Sequence, residues 1–371
     1  MRDHVRALLA AFDPELPLER ARTIPAAWYH DPDLYELERR AVFGHSWLVA
    51  GRHELVAEPG SYLTCELAGE PVVVVRDSAG VLRSFANVCR HRAAPVMTEP
   101  SGKASRLRCR YHGWTYDLTG QLRGTPEFDG VAEFCREENG LPPLAVEQWG
   151  PYVWVNAGDA TGSLSDALAP MPEVTAGRLE RLRFTERRTY DLNCNWKVYV
   201  DNYLDGGYHV NTVHPGLAGV LDYSGYRTEI YTRTSLQRSP LRPADPADAV
   251  ASVRTGIEAQ YWWVFPGFML NLYDGVMDAN IVLPLTRDRC RVIFDFYFAD
   301  TDGPGARQFI RESIAVAEQV QQEDIAICEE VQRGLGSRSF DTGRFSVRRE
   351  IAGYHFHQLL ARQLQSGCAS S

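Results

Sequence analysis

The sequence lacks any apolar run long enough to cross a membrane, which takes about 18 or more residues. Its first twenty residues, MRDHVRALLAAFDPELPLER, also lack the uninterrupted apolar core of a secretory signal peptide. We therefore expect no membrane partner and a cytoplasmic location.

Basic residues are too few for a protein that binds nucleic acid. Lys and Arg number 39 against 48 Asp and Glu, which gives a formal net charge of −9 at pH 7. Phosphate binding needs a clustered basic surface, so we expect no nucleic-acid partner. With 371 residues, of which 44% are hydrophobic and 23% charged, the composition is that of a globular protein with room for about two domains.

Cysteines are sparse as well. Eight occur in 371 residues, and six of them follow no pairing pattern, which favours free thiols in a reducing compartment over disulfides. These six are Cys65, Cys135, Cys194, Cys290, Cys328 and Cys368.

Two short segments do pair a cysteine with a histidine. The first, NVCRHRAAP, contains Cys89 and His91, and the second, CRYHGWTYD, contains Cys109 and His112. Zinc sites usually combine CxxC pairs with a separate pair of histidines, whereas each segment here has one ligand of each kind. Two cysteines on one iron and two histidines on the other are the ligands of a Rieske [2Fe-2S] cluster. We predict such a cluster, with structural zinc as the alternative.

The pattern of strands and helices changes along the chain. Short alternating runs broken by turn residues extend from Trp47 to Trp154 and predict a small antiparallel β domain, with both Cys/His segments in its loops. Beyond it we predict a helix over residues 196 to 213, a run of strands, a long amphipathic helix over about 304 to 334 and a shorter one over 350 to 365. The predicted fold class is α+β.

A second set of candidate metal ligands lies in NWKVYVDNYLDGGYHVNTVHPG, which contains His209 and His214. Two histidines and one carboxylate form the facial triad of non-haem Fe(II) oxygenases, which leaves positions open for O2 and substrate. Residues five apart point in different directions on a regular helix, so we expect the helix to end near Pro215. Three nearby side chains carry carboxylate or amide groups: Asp201, Asn202 and Asp205.

The third ligand can come from a distant part of the chain. In the long C-terminal helix an acid interrupts an apolar stripe, and burial of that carboxylate is unfavourable unless something such as a metal binds it. We predict Asp324 as this ligand, with Glu323 as the second choice and a carboxylate that contacts water as the remaining alternative. The stripe consists of Val316, Val320, Asp324, Ile327 and Val331.

These segments resemble the Rieske non-haem iron oxygenases, specifically their catalytic α subunits. The resemblance extends over nearly the whole chain and includes QQEDIAICEEVQRGL and FSVRREIAGYHFHQLL; within the family, DNYLDGGYHV and VFPGFMLNLYDGVMDANIVLPL are most similar to the choline monooxygenases. It implies an N-terminal Rieske β domain and a helix-grip catalytic domain with an antiparallel sheet and a mononuclear Fe(II). We accordingly expect residues 1–44 to form a helical segment that packs on the catalytic domain, 45–156 the Rieske domain and 157–371 the catalytic domain.

The resemblance also implies a head-to-tail homotrimer in which electrons cross between subunits. His112 of one subunit would contact Asp205 of the next, and Asp205 would contact the iron ligand His209. Asp205 and Asn202 are thus the predicted catalytic residues. Most relatives place the bridging acid three residues before the first histidine, whereas Asp205 is four before His209, and a π-bulge could absorb the extra residue.

The predicted function is hydroxylation of a small substrate with O2. No Gly-x-Gly-x-x-Gly motif follows a predicted strand, so the electrons should come from a separate NAD(P)H-dependent reductase or ferredoxin. Aromatic residues indicate a quaternary ammonium substrate such as choline or a betaine, since each ring face attracts such a cation by about 0.5 to 2 kcal/mol. The alternatives are an aromatic-ring or aryl-amine oxygenase, whose rings merely fill the core, and a non-catalytic Rieske electron carrier. The predicted substrate-contacting residues are Tyr203, Tyr208, Tyr261, Trp263 and Phe265.

Overall fold

The structure is a computed structural model that describes residues 2–158, 162–243 and 249–370. The chain divides into two compact units, one formed by Phe43–Leu164 and the other by Met1–Val42 together with Ser165–Ser371. Among the described residues, no helix combines the length and the apolar character needed to cross a membrane.

The unit Phe43–Leu164 is built from antiparallel strands. Its larger sheet contains a run of valines, residues 72 to 75, that is fully buried. β-Branched residues pack well on a pleated surface, which explains why this run forms an interior strand. The strands are β1 Leu48–Arg52, β2 Ser61–Leu67, β3 Glu70–Arg76, β4 Leu82–Ala86, β5 Ser101–Lys103, β6 Leu107–Arg108, β7 Thr115–Tyr116, β8 Leu122–Gly124, β9 Pro143–Trp149 and β10 Tyr152–Asn156.

These strands form two sheets. The larger has the order β1–β10–β9–β4–β3–β2–β5, and the smaller has the order β6–β7–β8. The first Cys/His segment follows β4, and the second lies between β6 and β7. The two cysteines are part of one buried cluster with Phe85, Trp114 and Tyr116. The predicted β domain with both segments in loops is confirmed.

The second unit combines helices with a single antiparallel sheet of order β11–β17–β16–β15–β14–β13–β12. Its strands are β11 Arg183–Leu192, β12 Arg227–Ile230, β13 Thr234–Pro240, β14 Glu258–Val264, β15 Phe268–Leu272, β16 Val276–Thr286 and β17 Arg289–Phe298. The α-helices are α1 Arg2–Ala10, α2 Ala27–His30, α3 Pro32–Leu37, α4 Leu164–Leu168, which crosses the boundary between the units, α5 Met171–Thr175, α6 Trp196–Tyr203, α7 Val210–Val213, α8 Pro215–Val220, α9 Ala306–Leu335 and α10 Ile351–Ser370. The predicted α+β class, with its antiparallel sheet and long C-terminal helix, is confirmed.

The first residues of the chain pack within this second unit. The indole nitrogen of Trp28 donates a hydrogen bond to the carbonyl oxygen of Leu8, and the backbone N–H of Ile24 donates to Nδ1 of His357 on α10. A π-helical turn, Glu38–Phe43, continues α3. It brings Glu38 to 2.6 Å from Nζ of Lys197, and both side chains are fully buried. This ion pair fixes the start of α6.

The predicted continuous helix over residues 196 to 213 is wrong. α6 ends at Tyr203, and α7 begins only at Val210. Between them Gly206 and Gly207 both adopt a left-handed φ of 71°. A Cβ atom on Gly206 would lie 2.1 Å from the carbonyl oxygen of Arg349, so only glycine fits there. The turn therefore separates the two helices.

The buried face of α9 also differs from the predicted apolar stripe, because Val331 is 45% exposed. Polar residues share the buried face: Gln321 accepts a hydrogen bond from the hydroxyl of Tyr199, and Gln332 accepts one from the backbone N–H of Asn195. Hydrophobicity alone misses a face whose polar members are hydrogen-bonded. The buried residues are Ala306, Ile310, Ser313, Ile314, Ala317, Gln321, Cys328 and Gln332.

Candidate metal centres and active-site cavity

The two Cys/His segments have the same backbone conformation. The amide of Cys89 donates to the carbonyl oxygen of Ala94, and the amide of Cys109 donates to that of Trp114. In each loop the fourth residue after the cysteine donates back to the cysteine carbonyl and has a left-handed φ, 59° in the first loop and 74° in the second. Two matching turns therefore each present one thiol and one imidazole.

The side chains of these loops fit a Rieske cluster. Cys89 and Cys109 are buried, whereas His91 is half-buried and His112 is exposed, with 4.5 Å between the imidazole centroids. Nδ1 of His91 is buried and has no hydrogen-bond partner among the described residues. Desolvation and neighbouring basic groups lower the pKa of His91, which favours the neutral form that binds metals. The hydroxyl of Tyr116, 3.5 Å from the sulfur of Cys89, is positioned to hydrogen-bond a cluster ligand.

In the second unit, His209, His214 and Asp324 converge on one point. Their ligand atoms all lie within 4.8 Å of one another. The two Nε2 atoms are 3.0 Å apart, and Oδ1 of Asp324 is 3.1 Å from Nε2 of His214 and 3.8 Å from Nε2 of His209. His214 is not in a helix, because Pro215 begins a new one there. Two imidazoles and one carboxylate are the ligand set that the sequence predicts for a mononuclear iron.

A carboxylate contacts the Nδ1 atom of each imidazole, whose Nε2 atom is the one that faces the other ligand atoms. Nδ1 of His209 lies 2.5 Å from Oδ2 of Asp205, and Nδ1 of His214 lies 2.7 Å from Oε2 of Glu323. Metal-binding histidines typically have this arrangement, in which a carboxylate fixes the ring and leaves the other nitrogen for the metal. Glu323, the second choice for the iron ligand, therefore lies behind His214 instead of among the converging atoms.

Asn202 contacts the triad from α6. Its amide Nδ2 donates a 2.6 Å hydrogen bond to Oδ1 of Asp324 and so orients that carboxylate. Although burial lowers the pKa of His214, the nearby carboxylates of Asp324 and Glu323 raise it above its ordinary value. The side chains at this point therefore attract positive charge, as the site of a metal cation should.

Asp205 is held by the turn that it starts. Its two oxygens accept the backbone N–H groups of Tyr208 and His209, at 3.0 and 2.9 Å. The expected π-bulge is absent from this segment, because Gly206 and Gly207 carry the chain out of the helix. A Cβ on Gly207 would lie 2.8 Å from the ring of Tyr226, so this glycine allows the turn to pass close to that ring.

One cavity is lined by the three converging ligands and by five tyrosine side chains. Tyr226 stacks on Tyr261, with 6.5 Å between centroids, and the hydroxyl of Tyr261 lies 2.8 Å from that of Tyr273. Burial raises the pKa of each phenol, so all five remain neutral at physiological pH. The five are Tyr199, Tyr203, Tyr226, Tyr261 and Tyr273.

Of the five aromatic residues predicted to contact substrate, only Tyr203 and Tyr261 line this cavity. Trp263 lies on the same strand face as Tyr261 but further along, where α10 covers it and its ring packs 5.7 Å from that of Phe356. The other three lie outside the cavity lining: Trp263 is buried under α10, Phe265 packs against Arg233, and Tyr208 is 56% exposed.

The cavity also contains polar residues that the sequence predictions missed. Asp278 and Asn280 lie on β16, and Asn271 faces them from β15. Asn271 donates a 2.7 Å hydrogen bond to Oδ2 of Asp278, and its own Oδ1 lies 2.7 Å from the hydroxyl of Tyr203. A signal was present: an acid and an amide interrupt the apolar run GVMDANIVLPL at alternate positions.

Comparison with known proteins gives matches to both units. A model of the Rieske [2Fe-2S] domain matches residues 46–135, and a model of the ring hydroxylating alpha subunit, catalytic domain, matches residues 179–366. The chloroplastic choline monooxygenase of Arabidopsis thaliana is 39% identical, covering 97% of this chain and 87% of the relative. The carnitine monooxygenase oxygenase subunit of Escherichia coli is 29% identical, over 93% and 94%. A crystal structure of a quaternary ammonium Rieske monooxygenase with L-carnitine matches with a TM-score of 0.80 and 28% identity, over 94% and 99%.

Proposed function

Because this chain belongs to the ring hydroxylating alpha subunit family and carries a Rieske [2Fe-2S] domain, we propose that it is the oxygenase component of a monooxygenase acting on a small quaternary ammonium compound. One observation carries the choice of substrate: five tyrosines line the same cavity as His209, His214 and Asp324. Ring faces attract a trimethylammonium group. The relatives named for choline and carnitine support the same class. Family membership also excludes the alternative of a non-catalytic electron carrier.

In the proposed reaction, a substrate C–H bond, O2, two electrons and two protons yield a C–OH group and water. When bound, the Rieske cluster supplies single electrons and the mononuclear iron activates O2. Cys89, His91, Cys109 and His112 would hold the cluster, while His209, His214 and Asp324 would hold the iron. Asp205 and Glu323 orient the two imidazoles, and Asn202 orients the carboxylate of Asp324. The tyrosines would bind the cation in the same cavity as the three metal-ligating side chains.

The substrate class can be tested by product formation. The purified oxygenase, supplied with NADH and a reductase that reduces its cluster, is expected to consume O2 in proportion to product with choline, glycine betaine or carnitine. Benzoate and aniline are the comparison substrates, because they probe the aromatic-ring and aryl-amine alternatives. Coupled turnover of an arene, with no product from any of the three trimethylammonium compounds, would overturn the proposal.

The proposed assembly is a head-to-tail homotrimer, with residues 45–156 as the Rieske domain and residues 157–371 as the catalytic domain. His112 of one subunit contacts Asp205 of its neighbour, so that electrons pass from a cluster to the iron of the next subunit. His112 is exposed, as such a contact requires. The structure of a quaternary ammonium Rieske monooxygenase that is similar to this chain was described as giving insights into inter-subunit electron transfer, which supports this arrangement. A separate NAD(P)H-dependent reductase or ferredoxin supplies the electrons, and the cytoplasm remains the expected location.

Mixed trimers provide a direct test of the electron path. Cys109→Ala removes a cluster ligand and Asp324→Ala removes an iron ligand, so each variant alone should be inactive. Co-expressed in equal amounts, they should recover roughly one quarter of wild-type activity, since one donor–acceptor pair in four combines an intact cluster with an intact neighbouring iron. A mixture of either variant with the double variant provides the control. No recovery in verified mixed trimers would mean that electrons remain within one subunit.

A further inference from the structure

We propose that Asp278 is the counter-charge that binds the cationic group of the substrate. This inference rests on the proposed function, which it deepens by assigning the residue that distinguishes a cation from a neutral molecule of the same shape. Asp278 lines the cavity shared by the candidate iron ligands and the five tyrosines, and only 4% of its surface is exposed.

The carboxylate of Asp278 is paired only with neutral groups. Oδ2 accepts hydrogen bonds from the amides of Asn271, at 2.7 Å, and Asn280, at 3.2 Å. In the described part of the chain Oδ1 accepts no hydrogen bond, and no basic side chain forms an ion pair with Asp278. One oxygen is therefore available to a ligand in the cavity.

Arg254, a basic residue that lines the same cavity, is engaged elsewhere. Its guanidinium donates to the hydroxyl and carbonyl oxygens of Ser313 and to the carbonyl oxygen of Val253, and it lies 5.1 Å from the ring centroid of Tyr273. It reduces the unfavourable burial of the Asp278 charge without contacting it. Burial raises the pKa of Asp278 even though Arg254, Asn271 and Asn280 oppose the rise.

The position of Asp278 explains how the cavity could select charge. Tyrosine rings attract a trimethylammonium group modestly, and they also accept a neutral group of the same size through ordinary packing. A buried carboxylate attracts only the cation, and strongly, because little water screens the interaction. The network from the Tyr203 hydroxyl through Asn271 fixes the carboxylate relative to the wall of rings.

The test compares choline with 3,3-dimethylbutan-1-ol, its neutral isostere in which carbon replaces nitrogen. In the wild-type enzyme, kcat/KM should favour choline over the isostere. Asp278→Asn keeps the shape of the side chain but removes its charge, so it should lower kcat/KM for choline about 100-fold and leave that for the isostere within a few fold. Asp278→Glu should restore part of the preference. Asp191 lies on β11 and forms an ion pair with Arg291 of β17, so Asp191→Asn is the control and should leave the preference for choline unchanged.

Two further measurements separate the possible results. The apparent melting temperature of Asp278→Asn should be unchanged or higher, since a buried charge is lost. A clear decrease in melting temperature, together with equal losses of kcat/KM for both substrates, would indicate a purely structural role. Calorimetric binding of tetramethylammonium tests the counter-charge without turnover. If the wild type binds this probe and Asp278→Asn does not, Asp278 is the counter-charge. That result would stand even if no quaternary amine were oxidised, and in that case only the proposed function would fail. Unchanged choline preference in Asp278→Asn, or no binding by the wild type, overturns the counter-charge.

Discussion

Asp324→Ala is expected to lower the iron content from three atoms per chain, two of them in the cluster, to two, and to abolish product formation. Oδ1 of Asp324 lies 3.1 Å from Nε2 of His214 and accepts a hydrogen bond from Asn202. Alanine leaves two neutral imidazoles, which lack the carboxylate that completes a facial triad for Fe(II). The cluster ligands lie in loops of the other unit, so the visible spectrum of the cluster should remain.

Glu323→Ala is the matched control, because it removes a carboxylate from the preceding position of the same helix. Glu323 contacts Nδ1 of His214 at 2.7 Å, and loss of such an orienting partner typically lowers metal affinity or activity by about 10- to 100-fold. Elemental analysis of iron and electron paramagnetic resonance of the reduced protein would distinguish the two variants. If Glu323→Ala lost the third iron and Asp324→Ala retained it, the ligand assignment would be reversed.

Asp205→Ala is expected to slow the passage of electrons from cluster to iron about 100-fold. The carboxylate holds Nδ1 of His209 at 2.5 Å and accepts the backbone N–H groups of Tyr208 and His209. Asp205 thus connects the proposed iron ligand His209 to the turn that, in the proposed trimer, faces the neighbouring subunit. Asp205→Asn can still accept one of the two backbone hydrogen bonds, whereas Asp205→Ala accepts neither, so comparison of the two variants helps to separate the negative charge from the conformation of the turn.

The measurement is the rate at which a chemically reduced cluster is reoxidised after mixing with O2 and substrate. We expect both variants to keep the cluster spectrum and to be reoxidised about 100-fold more slowly than the wild type. Asp201→Asn is the control: Asp201 lies on α6 and accepts hydrogen bonds from Tyr29 and His357, but it contacts neither histidine ligand. Reoxidation of Asp205→Ala at the wild-type rate would show that Asp205 is not part of the electron path.

The ligand segments were readable from sequence because the identity of a metal ligand is a local property. A thiol and an imidazole two or three residues apart indicate iron–sulfur chemistry whatever surrounds them. Asp324 was found for a reason that proved partly wrong: the stripe that singled it out includes Val331, which is exposed, whereas the buried face of α9 includes hydrogen-bonded Gln321 and Gln332. Asp324 lies three residues after Gln321 and four before Cys328, and so on the face that is buried.

The substrate-binding residues were much less predictable. Alternation correctly assigned Tyr261 and Trp263 to one face of β14, but it could not reveal that α10 covers that face at Trp263. Tyr226 and Tyr273 come from segments whose sequences carry no signal of a shared site. They meet Tyr261 because the chain returns to the same region of the sheet more than once.

The sequence by itself determined the class of chemistry, the α+β class with its antiparallel sheet and long helix, and the family, and it singled out the candidate ligands of two iron centres. These depend on residue types at short spacings and on hydrophobic periodicity, which any segment carries with it. Only the tertiary structure decided which carboxylate of α9 joins His209 and His214, how two glycines bring Asp205 to His209 without a helix, and that Asp278 lies buried in a cavity lined by five tyrosines. Those facts depend on distances between segments that are far apart in the chain. Packing and hydrogen bonding set such distances, and the local sequence pattern does not.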